Sequence, residues 1–194
     1  DVMTSPRISD PLKLLDCCLV TDGAGAIVMT TAENARAHGA KATHIRGYGE
    51  AHTHWSIGAM PDLARLTAAQ MSSQRAFEMA GVGRDAIDLV ECYDSFTITV
   101  MMTLEALGFC KPGEGGQFVS GQRTAPGGAF PLNTNGGGLS YCHPGMYGIF
   151  LLVEAVRQLR GEAGDRQVRD VGTALVHGTG GTLSSGATVI LSNH

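Results

Sequence analysis

"VGTALVHGTGGTLSSGATVILSN" occupies residues 171–193. Two apolar runs, 171–178 and 186–193, flank a segment built from glycine, serine and threonine. That pattern predicts two consecutive strands joined by a glycine turn. Just upstream, "MYGIFLLVEAVRQLRG" (146–161) carries apolar residues at helical spacing and stops at Gly161, which predicts a long amphipathic helix. A helix followed by a closing strand pair is the end of a layered sheet. The rest of the chain can be read outward from it.

Toward the N-terminus the two periodicities alternate. "AIDLVEC" (86–92) predicts a strand, and "DSFTITVMMTLEALG" (94–108) a helix opened by an Asp94 or Ser95 cap and closed by Gly108. Residues 61–81 read as a helix with Pro61 near its start and Gly81 as its stop. "THIRGYGEA" (43–51) alternates as a strand, and "AENARAHG" (32–39) is a short helix ended by Gly39. The apolar run from about Gly25 to Met29 predicts a further buried strand. Residues 110–131, with "KPGEGG" and "APGG", form a surface excursion. This order predicts an α/β fold, a sheet covered by helices on both faces.

Composition narrows the function. The 194 residues are 43% hydrophobic and 16% charged, enough for a real core. A formal net charge of −4 with scattered Lys and Arg argues against nucleic acid as a partner. The apolar run "GIFLLV" (148–153) is cut by Glu154, far short of the roughly 20 residues of a membrane span. No secretory signal is visible, so a cytoplasmic location is expected. Five cysteines at 17, 18, 92, 110 and 142 show no CxxC spacing, so neither a metal site nor a disulfide framework is expected.

Three loops fall where strands run into helices or turns, the informative places of such a sheet. They are "ECYDSF" (91–96), "NTNGGGLSYCHPG" (133–145) and "HGTGG" (177–181). Three glycines in series cost backbone entropy, so Gly136, Gly137 and Gly138 imply positive φ or a close approach. Pro144 suits a first helical turn, which would place His143 at a helix start as a general base or an N–H donor to an oxyanion. The N–H of Gly180 could hold a developing negative charge, and Tyr93 could serve as acid or base. Each loop also has a plainer reading: a capping or packed histidine, a tight link between antiparallel strands, and a structural strand-end tyrosine.

Together, in this order, the loops resemble the C-terminal half of the thiolase superfamily, most closely its sterol-carrier (lipid-transfer) type. "YDSFTITVMMTLEALGFCKPGEGGQFV" (93–119) is similar to that branch's HDCF loop and following helix. "PLNTNGGGLSYCHPGMYG" (131–148) is similar to its N-x-x-GG…GHP loop, which brings in Asn133. "HGTGGTLSSGATVIL" (177–191) is similar to the terminal glycine turn and strand, and "LLDCCLVTDGAGAIVM" (14–29) to the end of the first half. The resemblance implies a mixed sheet, the second copy of a duplicated βαβαβαββ unit. Residues 1–60 would end the first half, and 61–194 would be the C-terminal domain.

It further implies C–C bond chemistry beside a coenzyme A thioester, with coenzyme A as substrate and no resident cofactor. His143 would polarise the reactive cysteine and bind an oxyanion, and Gly180 would complete a second oxyanion hole. Asn133, His177 and Gly178 would border the substrate. The chain departs from the family at three places. Tyr93 and Ser95 replace the His and Cys of HDCF, His177 and Gly178 stand where ordinary thiolases carry a cysteine, and Cys142 replaces the glycine before His-Pro. A serine hydroxyl is a far poorer proton shuttle than a thiol. The nucleophilic cysteine belongs to the family's first half, so the implied partners are that half or a second subunit, and dimers when complete. A tyrosine-using branch works as retro-aldolases with a small OB-fold partner, and Tyr93 fits it. A non-catalytic thiolase-like subunit is the remaining reading.

Overall fold

A computed structural model describes residues 1–39 and 41–194. Two short strands, β1 (Arg7–Ser9) and β2 (Leu12–Lys13), form a small antiparallel ribbon near the N-terminus. Helix α1 (Ala32–Ala37) follows, capped by the Thr31 hydroxyl, which accepts the Asn34 N–H. The main body is built from β3 (His44–His52), α2 (Thr67–Ala80), β4 (Leu89–Cys92) and α3 (Thr97–Leu107). It continues through two single-turn helices, α4 (Gly115–Phe118) and α5 (Gly137–Ser140), to α6 (Gly148–Arg160), β5 (Thr173–Gly180) and β6 (Ser185–Ser192).

The four-stranded sheet runs β3-β6-β5-β4. The pairs β3–β6 and β5–β6 are antiparallel and β4–β5 is parallel. The sheet is therefore mixed, as expected. Alternation along the strands splits the core in two. Leu89, Ala174, Val176 and Leu191 face α6 and pack on Leu151, Ala155 and Leu159. Val90, Cys92, Leu175 and Ile190 face the other way, onto Ala76 and Phe77 of α2 and Leu107 of α3. Full burial of each large aliphatic side chain contributes about 1.5–3 kcal/mol. Helices thus cover both faces. On β3, Gly49 lies directly beneath the Ser72 carbonyl of α2, where a Cβ would overlap it.

Several boundaries move for physical reasons. The expected strand at 25–29 does not form; Val28 and Met29 are exposed. An apolar run becomes a strand only where a neighbour offers a hydrogen-bonding edge, and no described strand pairs with it. The helix expected over 61–81 begins at Thr67, because Asp62 accepts the Ala64 N–H and makes a turn after Pro61. The helix expected from Asp94 or Ser95 begins at Thr97, with no side-chain cap. The surface excursion carries α4, tied to α3 by the Gly115 N–H donating to Glu105 Oε1 at 2.9 Å. Among the described residues, no helix is long and apolar enough to cross a membrane.

Candidate active site

Strand β4 ends at Cys92, and alternation turns Tyr93 toward the α6 side, where it packs on that core cluster. Asn133, at φ +46°, grips the strand end through its side chain. Its Oδ1 accepts the Cys92 N–H at 2.8 Å and its Nδ2 donates to the Cys92 carbonyl at 2.9 Å. The amide thus imitates a strand partner and brings the glycine segment alongside β4. There the Asp94 carboxylate accepts the N–H of Gly138 at 2.7 Å and of Leu139 at 3.3 Å.

This accounts for the glycines. Gly136 and Gly137 have φ of +98° and +66°. A Cβ at Gly137 would overlap the Asp94 carboxylate, and one at Gly138 would lie 3.0 Å from His143 Cδ2 and 3.1 Å from Asp94 Oδ1. Only a bare backbone lets carboxylate, loop and imidazole meet. Burial pushes the Asp94 carboxyl up from its ordinary value, against the hydrogen bonds from Gly138 and Leu139.

At the centre, the Tyr93 hydroxyl and His143 Nε2 are 2.8 Å apart, with the two rings tilted at 35°. Burial is the main cause that raises the Tyr93 phenol above its ordinary value, and the Cys18 thiol and Asp94 add to it against a hydrogen bond from Ser95. Burial thus favours the protonated phenol, whose hydroxyl can donate to Nε2 when the single proton of the neutral ring is on Nδ1. Tyr147 also stacks with the imidazole, ring centroids 6.4 Å apart, and donates its hydroxyl to Asn135 Oδ1 at 3.0 Å. His143 does not stand at a helix start as expected. Pro144 lies in a turn, and α6 opens only at Gly148 with Tyr147 as its N-cap.

Residues 17–21 lace the two loops together. The Cys18 N–H donates to the Ser95 carbonyl at 2.9 Å and the Leu19 N–H to the Gly138 carbonyl at 3.0 Å. Thr21 Oγ1 accepts the His143 backbone N–H at 2.8 Å and lies 3.3 Å from Cys142 Sγ. Cys142 is buried beneath the loop, with Asp22 O as a further partner. Burial pushes the Cys18 thiol up, which keeps it protonated. This lacing was not legible in the sequence, because no local pattern links Thr21 to His143.

The other expected residues are distributed as follows. Ser95 Oγ pairs with Thr99 Oγ1 at 3.2 Å on the first turn of α3. Gly178 and Gly180 continue the alternation of Ala174 and Val176, so they lie on the α6 side of the sheet, the side of Tyr93. Both are within β5, paired with Ala187 and Ser185, and a Cβ at Gly178 would meet nothing within 4 Å. His177 faces the opposite side and does not join the cluster. Fully buried, it has Nδ1 2.9 Å from Thr188 Oγ1 and Nε2 3.3 Å from Thr179 Oγ1. Burial lowers its pKa to about 4, so the ring is neutral.

The five cysteines are free thiols. Among the described residues, no group of three His, Cys, Asp or Glu side chains is disposed to hold a metal ion. The arrangement offers a phenol–imidazole pair, positioned from both sides, beside a glycine-lined strand end. Such a pair can give or take one proton and offer one N–H to a developing oxyanion.

Known proteins are similar to this chain in sequence and fold. A profile described as "Thiolase C-terminal domain-like" matches residues 49–193. The chain is 37% identical over 192 residues to an acetyl-CoA acetyltransferase of Methanothermobacter thermautotrophicus, covering 98% of this chain and 50% of that protein. It is 34% identical over 197 residues to sterol carrier protein 2 of Rattus norvegicus, covering 98% of this chain and 36% of that one. Among solved structures, the Ltp2-ChsH2(DUF35) aldolase matches with a TM-score of 0.82 at 27% identity, covering 98% of this chain and 50% of that one. The chain therefore spans half or less of the length of these relatives.

Proposed function

The chain belongs to the thiolase C-terminal domain-like family, and from that premise we propose that it supplies the acid–base and oxyanion side of an acyl-CoA enzyme. The reaction makes or breaks a C–C bond next to a coenzyme A thioester. His143 donates an N–H to the thioester oxyanion and polarises the attacking thiolate. Tyr93 is the acid or base through its hydrogen bond to His143. Ser95 is a polar neighbour of the phenol, and Asn133 holds the loop. The N–H of Gly180, the last residue of β5, is the second oxyanion donor, and Gly178 borders the substrate. The reactive cysteine comes from the remainder of a longer polypeptide or from a second subunit, and the complete enzyme is a dimer. A cytoplasmic setting fits five unpaired thiols.

The observation that carries this reading is the 2.8 Å contact between Tyr93 and His143, set between the Asp94-bound glycine loop and Thr21. The test is acyl-CoA turnover by the enzyme completed with its cysteine-bearing half. His143→Ala is expected to lower kcat/KM by about 10²–10⁴ with little change in stability. Undiminished turnover would overturn the catalytic assignment and favour a non-catalytic subunit.

A second reading has its own support, the phenol at position 93 together with the fold match to an aldolase. In it Tyr93 takes the proton of a 3-hydroxyacyl-CoA hydroxyl as it passes its own proton to His143 Nε2, and the Cα–Cβ bond breaks to release a carbonyl product. The imidazolium steadies the enolate formed at the thioester and then returns the proton to its Cα. A small OB-fold protein would be the partner. Tyr93→Phe then abolishes cleavage of a 3-hydroxyacyl-CoA. Thiolysis by free coenzyme A in the wild-type enzyme would sink this reading.

A further inference from the structure

Two residues before Tyr93, the Glu91 side chain is fully buried under the glycine loop. Its Oε1 accepts both the backbone N–H and a contact from the hydroxyl of Thr134, at 3.1 and 2.8 Å. Its Oε2 has no polar partner among the described residues. Thr134 Oγ1 also lies 2.8 Å from Glu154 Oε1 and 3.0 Å from Gln158 Nε2. A hydroxyl carries one proton, yet two carboxyl oxygens stand at hydrogen-bond distance from this one. Two ionised carboxylates cannot both be satisfied there, so one carboxyl must bring a proton of its own.

Glu154 is the ionised partner. Arg166 reaches it with Nη2 on Oε2 at 3.0 Å and Nε on Oε1 at 3.3 Å. Burial would raise the Glu154 carboxyl, but hydrogen bonds from Arg166, Thr134 and Gln158 outweigh it and hold it below its ordinary value. Glu91 has no cation of its own. Burial is the first cause that pushes it up to about 8, and the charges of Glu154 and Asp94 push the same way against the Thr134 hydrogen bonds. The titratable groups around it are Glu154 on α6, Arg166 beyond α6, Asp94 at the end of β4 and Tyr147 before α6. Cys92 is its neighbour in sequence and points to the other face.

We propose that Glu91 is a positioning residue of the candidate site, a neutral acid whose proton is shared with Thr134 Oγ1 and clamps residues 133–138 against β4. The segment it clamps carries the Asn133 grip on Cys92 and the Gly138 N–H that binds Asp94, and it ends against the His143 ring. Loss of the Glu91 proton places two anions on one hydroxyl and loosens that clamp. The link to catalysis rests on the function proposed above; the proton and the clamp do not.

The test is nuclear magnetic resonance on this chain with glutamate ¹³C-labelled at the side-chain carboxyl and ¹⁵N in the backbone, titrated between about pH 5 and pH 10. The Glu91 carboxyl is expected to titrate with a midpoint near 8. The amide signals of Thr134, Gly137 and Gly138 are expected to shift with the same midpoint. Glu91→Gln, which keeps the shape and a donor, should hold those amides at their acid-side positions at every pH, and Glu91→Ala should displace them. A Glu91 midpoint in the ordinary carboxylate range, or loop amides that ignore it, overturns the proposal. The wild-type titration, with the carboxyl assigned through its own backbone, decides the matter even where a variant fails to fold. No acyl-CoA is involved, so an inactive or unaffected His143→Ala enzyme leaves this outcome independent.

Discussion

The Asp94 carboxylate accepts the Gly138 N–H at 2.7 Å across 44 residues of chain, and the Leu139 N–H beside it. That pair of bonds joins the end of β4 to the loop that carries His143. The residue that looked like a helix cap from its position before α3 is spent on this loop instead, which is why α3 starts without a side-chain cap. Asp94→Ala strands two N–H groups in a largely dry site and should cost about 2–4 kcal/mol in urea unfolding. Asp94→Asn, which retains one acceptor, should cost less. Equal losses for the two variants would show that the bonds to the loop are not what Asp94 contributes.

Gly137 is the sharpest steric demand in the loop, with φ at +66° and the Asp94 carboxylate where its Cβ would be. Gly137→Ala should destabilise by about 2–4 kcal/mol, from left-handed strain and the displaced carboxylate together. Gly113, also at positive φ but with open space around it, is the control. There the same change should cost only about 1 kcal/mol, from the backbone alone. Thermal unfolding of the two variants side by side checks the difference.

Thr21 and His143 are 122 residues apart, yet Thr21 Oγ1 holds the His143 N–H. Thr21→Val keeps the shape and removes the acceptor. It should cost about 1–3 kcal/mol of stability and move the His143 ring off Tyr93. Thr21→Ser should restore both. The readout is the His143 ring signal in ¹H–¹⁵N spectra, compared across the three proteins.

His177 gives the fold a dependence on acid. Its folded pKa of about 4 lies below the ordinary histidine value, because burial opposes the charge. Its contribution is therefore fully present above about pH 6.5 and is lost as pH falls through 4. The loss is on the order of 3 kcal/mol, at about 1.4 kcal/mol per tenfold change in proton affinity. Glu91 works in the opposite direction: its raised pKa gives stability below about pH 4.5 that is lost as pH rises through 8. Subtracting the pH–stability curve of His177→Gln from that of the wild type should isolate the first trend. A flat difference curve between pH 4 and 6.5 would mean that the folded protein tolerates the charged ring.

Much of the architecture was legible in local pattern. The closing strand pair, the amphipathic α6 and the strand–helix order follow from side-chain period and from glycine stops at 81, 108 and 161, and each stop is found in the left-handed region. His143 and Tyr93 were also marked in the sequence, by an unusual glycine run and by their places at element ends. The strand expected at 25–29 failed, because apolarity reports a wish for burial and says nothing of whether a pairing edge exists.

The sequence by itself determined the class of fold and marked two residues that meet in the candidate site, since both are written in short-range pattern that one turn or one strand can satisfy. Only the tertiary structure decided which groups meet. It set His177 on the far face of β5, because a pleated strand sends adjacent side chains to opposite sides. It turned Asp94 from a helix cap into the anchor of a glycine loop, and it threaded Thr21 beneath His143. Hydrogen bonds across 44 and 122 residues depend on how packed layers bring distant backbone together, and no local preference encodes that distance.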